Sequence, residues 1–154
     1  MRILVATDGS RGSGAALEFA ARLAARDART QLIVLSVEPR HGGLSVGSGF
    51  LPLRGKTPGR ALRQARKILE GAARGRRQKS NGTRFRLLST RGQDEVPEAI
   101  SREADRVRAD LVVVGSEGRD TLNEWVVGGT ALRLIYVARR PVTVVRPPRR
   151  RKAS

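Results

Sequence analysis

The run from Val112 to Val145, VVVGSEGRDTLNEWVVGGTALRLIYVARRPVTVV, constrains the fold more than any other part of the chain. A short apolar segment ends in Gly115, Gly118 follows three residues later, and Gly128, Gly129 and Thr130 come ten residues beyond that. A helical pattern and a last apolar segment complete the run. A loop that holds a phosphate between a buried strand and a helix needs this layout. Glycine lacks a Cβ, so the backbone can bend with φ > 0 and an anion can approach it closely. The first N–H groups of the following helix have no partner inside the helix and can donate to that anion.

The rest of the chain alternates in the same way. Arg2–Thr7 (RILVAT) predicts a strand that ends in the turn Asp8-Gly9-Ser10. Ala16, Phe19, Ala20, Leu23 and Ala24 recur at helical spacing and predict a helix over Ser13–Asp27. Gln31–Val37 predicts a second strand. Glu38 to Thr57 is rich in Gly, Pro and Ser, shows no period, and reads as a long surface loop. Pro58 to Lys79 predicts a helix with Leu62, Ala65, Ile68, Leu69 and Ala72 inward, and Arg60, Arg63, Arg66, Lys67, Arg74 and Arg77 outward. Thr83–Thr90 predicts a third strand, followed by a helix with Pro97 in its first turn and Val96, Ile100 and Val107 inward. Asp110–Gly115 is apolar enough to be buried on both faces. Val126 to Ala138 predicts the last helix and Pro141–Arg146 the last strand, leaving a basic polar tail at Pro147–Ser154. Alternation of this kind predicts an α/β domain over residues 1–146, with a parallel sheet and helices on both faces. Ligands of such sheets bind at the carboxyl ends of the strands where strand order reverses. Asp8 and Gly115–Gly118 meet there if the first and fourth strands are neighbours.

Several function classes are disfavoured. The chain has no cysteine and one histidine, His41, in the long loop, which argues against thiolate zinc sites, histidine-rich metal sites and histidine-based triads. No paired carboxylates stand at a recognisable spacing, so the sequence predicts a binding protein and not an enzyme. No apolar run approaches a membrane span, and the first strand begins at Arg2, so a cytoplasmic protein is expected. Lys and Arg number 31 against 14 Asp and Glu, a net charge of +17. That excess fits nucleotides, nucleic acids or other polyanions, and equally an arginine-rich solvated surface.

With these residues in view, the chain resembles the universal stress protein family from Arg2 to Arg146. ILVATDGS is similar to that family's first strand and turn, LIVLSV to its second strand, and PEAISREADRVRADLVVVGSEGR to its third helix and fourth strand. The glycines from Gly115 onward are similar to its nucleotide motif: Gly, two residues, Gly, nine residues, Gly, then Ser or Thr. RPVTVV is similar to its last strand. The resemblance implies a Rossmann-like, open five-stranded sheet of order 3-2-1-4-5. It also implies a stress-response regulator that holds ATP, AMP or a related adenine nucleotide, with or without magnesium, and a homodimer through the last strand, Pro141–Arg146.

Carried over by position, the resemblance implies that Asp8 accepts hydrogen bonds from the nucleoside, with Ala6 and Thr7 lining its pocket. The backbone of Val37 faces the adenine. Val114 and Gly115 lie under the ribose and first phosphate, and Gly118, Arg119, Gly128, Gly129 and Thr130 surround the phosphates. Two positions depart from the motif. Gly129 stands where a hydroxyl is expected, a loss of roughly 0.5–1.5 kcal/mol. Glu117 stands inside the glycine turn, where a carboxylate repels phosphate by about 1 kcal/mol at 4 Å in water. Together they predict binding weakened about tenfold to a hundredfold.

The residues alone leave other roles open. Asp8 can cap the first helix. Gly115 and Gly118 can be plain turn glycines, and Gly128 and Gly129 can serve close helix packing. Trp125 reads as an apolar anchor. Two other functions compete: a family member without nucleotide that acts through protein contacts, and a polyanion or nucleic-acid binder that uses the basic helix and the Arg149–Lys152 tail.

Overall fold

The computed structural model describes residues 1–39, 44–46, 49–51, 59–74, 82–90, 95–116 and 127–148. Its elements in chain order are β1 (Arg2–Ala6), α1 (Arg11–Ala24), β2 (Gln31–Pro39), β3 (Leu44–Val46), β4 (Gly49–Leu51), α2 (Arg60–Arg74), β5 (Arg84–Thr90), α3 (Val96–Arg106), β6 (Leu111–Gly115), α4 (Gly129–Val137) and β7 (Val142–Val145). Five strands form one parallel sheet in the order β5-β2-β1-β6-β7. This is the order 3-2-1-4-5 of the α/β alternation.

Side-chain alternation along the strands divides the core in two. Leu4, Ile33, Leu35, Val37, Val112 and Val114 point to one face and pack with Val96, Ala99, Ile100 and Ala104 of α3 and Ala131 and Leu134 of α4. Ile3, Val5, Leu32, Val34 and Val113 point to the other, against Ala16, Leu17 and Ala20 of α1 and Ala65 of α2. Val112 and Val113 are fully buried, one on each face, as the uninterrupted apolar run of β6 requires.

Three differences from the sequence-based expectations have local causes. The stretch from Glu38 to Thr57 is not loop throughout. β2 continues to Pro39, and β3 pairs antiparallel with β4 through Leu44↔Leu51, Ser45↔Phe50 and Val46↔Gly49. Strands of three residues are too short to show a period. Helix α1 starts at Arg11 and not Ser13: Ser10 is its N-cap, and the Ser10 Oγ accepts from the Ser13 N–H at 3.1 Å. Helix α4 starts at Gly129 and not Val126, with Gly128 as N-cap.

The face of α3 is tied down by ions. Glu103, only 4% exposed, accepts from Arg106 Nε and Nη2 at 2.7 Å each, and Arg86 Nε of β5 lies 2.6 Å from its Oε1. The Arg106 hydrogen bonds hold the Glu103 carboxyl below its ordinary range against the opposing effect of burial. Arg133 of α4 pairs with Glu98, and Arg140 with Asp105.

Candidate functional site

The chain runs outward from β1 through β2 to β5, then returns to the other side of β1 for β6 and β7. Strand order therefore reverses between β1 and β6, and the carboxyl ends of these strands are where ligands of such sheets bind. Asp8 stands just past β1, and Gly115 and Ser116 end β6.

The turn after β1 is built by side chains. Asp8 Oδ1 accepts from the Ser10 N–H at 2.8 Å, which closes the turn. Gly9 has φ +76, and a Cβ there would lie 3.1 Å from Gln64 Oε1 of α2. The capping of α1 falls to Ser10, so Asp8 is not its N-cap. Thr7 is buried, and its hydroxyl lies 3.1 Å from the Ser13 Oγ and accepts from the Gly9 N–H at 3.3 Å. Thr7 thus spends its hydroxyl inside the turn. Sequence reasoning missed Ser10 and Ser13. The Ser10-x-x-Ser13 spacing was the available signal, weakened by Gly12 and Gly14 in the first turn of the helix.

Val37 presents its backbone. The β1–β2 ladder ends at Ala6↔Leu35, with one further bond from the Thr7 N–H to the Leu35 carbonyl at 2.8 Å. The Leu35 carbonyl therefore points toward β1. Backbone polar groups repeat their direction every second residue, so those of Val37 point the same way, past the end of β1. Its side chain is 7% exposed and belongs to the core. Val114 is likewise a core side chain at 5% exposure, and Ala6 packs partly buried against the same cluster.

Gly115 has a reason the sequence did not show. A Cβ there would lie 2.3 Å from the carbonyl carbon of Gly12 and 2.6 Å from the Ser13 nitrogen. The first turn of α1 rests directly on the end of β6. Beyond it, the Ser116 N–H donates to the Val145 carbonyl at 2.8 Å, and the Ser116 carbonyl accepts from the Gly128 N–H at 2.7 Å. Ser116, also missed in the sequence, therefore ties β7 and the start of α4 to the end of β6.

Gly128 has given its N–H to Ser116, and the Leu132 N–H returns to the Gly128 carbonyl at 3.0 Å. The N–H groups of Gly129, Thr130 and Ala131 between them have no acceptor within the helix. A Cβ at Gly129 would meet nothing within 4 Å among the described residues, so close packing against them does not explain that glycine. Gly118, Arg119, Glu117, Trp125 and His41 lie outside the described residues. Among the described residues no group of three or more His, Cys, Asp or Glu can hold a metal ion, and no helix is long and apolar enough to cross a membrane.

Asp8, the Val37 backbone and the start of α4 thus stand at the carboxyl ends of β1, β2 and β6. Known proteins share this fold. The sequence profile of the universal stress protein family matches residues 1–146. A protein of that family from Burkholderia pseudomallei is 27% identical, with a TM-score of 0.63 over 96% of each chain. A universal stress protein solved in complex with cAMP is 22% identical, with a TM-score of 0.65 over 96% of this chain and 98% of that one. The universal stress protein from Archaeoglobus fulgidus in complex with dAMP is 24% identical, with a TM-score of 0.57 over 94% and 97%. No curated protein matches significantly. With its profile matched from Met1 to Arg146, this chain belongs to the universal stress protein family.

Proposed function

We propose that this protein is an adenine-nucleotide-binding regulator of a stress response. The observation that carries the reading is the placement of Asp8, the Val37 backbone and the first amides of α4 at Gly129, Thr130 and Ala131 at the carboxyl ends of β1, β2 and β6. The complexes of two structural relatives with cAMP and dAMP support it. In this reading the adenine edge pairs with the Val37 backbone, and Ala6 and Thr7 wall the nucleoside. The ribose hydroxyls donate to Asp8, above the backbone of Val114 and Gly115. The phosphates accept from the start of α4, with Gly118 and Arg119 completing their shell. ATP is the fullest occupant, and AMP satisfies the same nucleoside contacts. Magnesium, if taken up, arrives on the phosphates, which bind it with few protein ligands.

The groups in the crevice bind and orient, and we read the protein as a cytoplasmic regulator whose occupancy is the signal, not as a catalyst. Its output surface in this reading is a homodimer. β7 is an edge strand, and such an edge invites pairing. Leu132, Ile135 and Tyr136 of α4 are 48%, 51% and 81% exposed at helical spacing, an apolar strip that a second copy would cover.

The test is to denature the purified protein, identify any released small molecule by mass, and then titrate the stripped protein with ATP, AMP and GTP. Micromolar binding with adenine preferred over guanine is expected. Binding that ignores the base would refute the nucleoside contacts.

A further inference from the structure

The chain leaves β7 at a fixed place. Pro147 is buried, and Arg11, in the first turn of α1, donates through Nη2 to the Pro148 carbonyl. That same turn rests on Gly115 through Gly12 and Ser13. Val145 lies beside Gly115 in the β6–β7 register, and its carbonyl takes the Ser116 N–H. The Ser116 carbonyl takes the Gly128 N–H ahead of α4. The exit from β7, the start of α1 and the start of α4 therefore meet at the carboxyl end of β6. Four cations follow Pro148 without a break: Arg149, Arg150, Arg151 and Lys152.

The sequence on either side of the proposed phosphate site is short of cations. Residues 117–126, between β6 and α4, hold Glu117, Asp120 and Glu124 against Arg119 alone. Arg133, the basic residue of α4, is held by Glu98. The opening amides of α4 donate hydrogen bonds but bring no full charge. Acids described at the carboxyl ends of the other strands have their own work. Asp8 holds the Ser10 N–H, Glu38 holds the Gly59 N–H, and Glu95 follows β5, the edge strand opposite β7.

We infer that Arg149–Lys152 supplies counter-charge to the phosphates and makes the site prefer ATP to AMP; the inference rests on the nucleotide reading above. The reach suffices. Neighbouring strands lie about 4.8 Å apart, and the three residues from Val145 to Pro148 add at most about 11 Å, so Pro148 lies within about 16 Å of Gly115. Arg149 to Lys152 can extend up to about 14 Å further. A short tether from a fixed exit holds these cations at high local concentration beside the site. Phosphates beyond the first gain most, since each adds negative charge while the nucleoside contacts stay the same.

The test is calorimetric titration of the stripped full chain with ATP and with AMP, without magnesium. The variant R149Q/R150Q/R151Q/K152Q is compared with R22Q/R26Q/R29Q/R108Q, which removes the same charge from exposed positions near the amino ends of β2 and β6. Circular dichroism checks that both fold. AMP reports on the nucleoside contacts, and the ratio of ATP to AMP affinity reports on the tail. The unchanged protein and the control are expected to bind ATP at least about tenfold tighter than AMP, the worth of one charge-assisted contact. The tail variant is expected to bind the two within about threefold of each other, with AMP affinity preserved. A tail variant that keeps or strengthens the ATP preference would overturn the proposal, by assigning the cations to the acidic link between β6 and α4 or to solvent, and would leave the nucleotide reading intact. Equal loss of the preference in both variants would assign it to bulk charge and overturn the proposal too. Failure of every protein to bind either nucleotide would overturn the nucleotide reading, and this inference with it.

Discussion

Gly115 and Gly12 touch through their backbones: a Cβ on Gly115 would come to 2.3 Å from the Gly12 carbonyl carbon. The first glycine of the nucleotide motif therefore seats α1 on β6, whatever else it does. Its neighbour is main chain and cannot rotate aside. Gly115→Ala should destabilise the fold by about 1–3 kcal/mol, the usual cost of overpacking. Urea denaturation monitored by circular dichroism checks this, and an unchanged midpoint would show that α1 moves away freely.

Gly129 is the opposite case, since a Cβ there would meet nothing within 4 Å among the described residues. Gly129→Ser should restore the hydroxyl of the family motif beside the α4 amides. One added hydrogen bond of about 0.5–1.5 kcal/mol predicts nucleotide binding about two- to tenfold tighter. Stability should not fall, because serine is the better helix former. Calorimetric titration of both proteins decides; weaker binding in the variant would place the phosphates elsewhere.

Acid should unfold the protein partly through Glu103. Its carboxyl titrates lower in the fold than in the unfolded chain, chiefly because Arg106 donates to it, so the unfolded state takes up the proton first as pH falls. The stabilisation is complete above the ordinary value near 4.5 and disappears as pH falls through the lower folded value. Glu103→Gln should be less stable at neutral pH and show a flatter stability profile below about pH 4.5. Denaturation midpoints across that range test it; parallel profiles would remove Glu103 from the account.

The apolar strip on α4 predicts an assembly effect without a folding effect. Ile135 and Tyr136 are 51% and 81% exposed, so Ile135→Glu with Tyr136→Glu costs the monomer little. The pair should turn the proposed dimer into a monomer in light scattering after gel filtration. A variant that stays dimeric would shift the interface away from α4.

Much of this was legible in sequence where a residue's role follows from its near neighbours. The run of β6 was apolar enough for both faces, and Val96, Ile100 and Val107 showed α3's inner stripe at helical spacing. Asp8 was legible as a strand-end carboxylate, although its bond to the Ser10 N–H was not. Long-range partners were the missing part. Nothing near Gly115 in sequence announces Gly12, and nothing near Glu103 announces Arg86 on β5. Nothing beside Ser116 in sequence announces that its backbone joins Val145 to Gly128. The β3–β4 hairpin stayed hidden because each strand has only three residues.

In the proposed function, Asp8 and the α4 amides hold one adenine nucleotide between them. Calorimetric titration of the stripped protein with ATP, beside Asp8→Asn, tests it most directly. Asparagine keeps an oxygen for the Ser10 N–H, so the turn should survive, while the charge offered to the ribose hydroxyls is lost. The account predicts micromolar binding by the unchanged protein and at least about tenfold weaker binding by the variant, the loss of one charge-assisted hydrogen bond of about 1.5–3 kcal/mol. Equal affinity in the two proteins, or no binding in either, would contradict it.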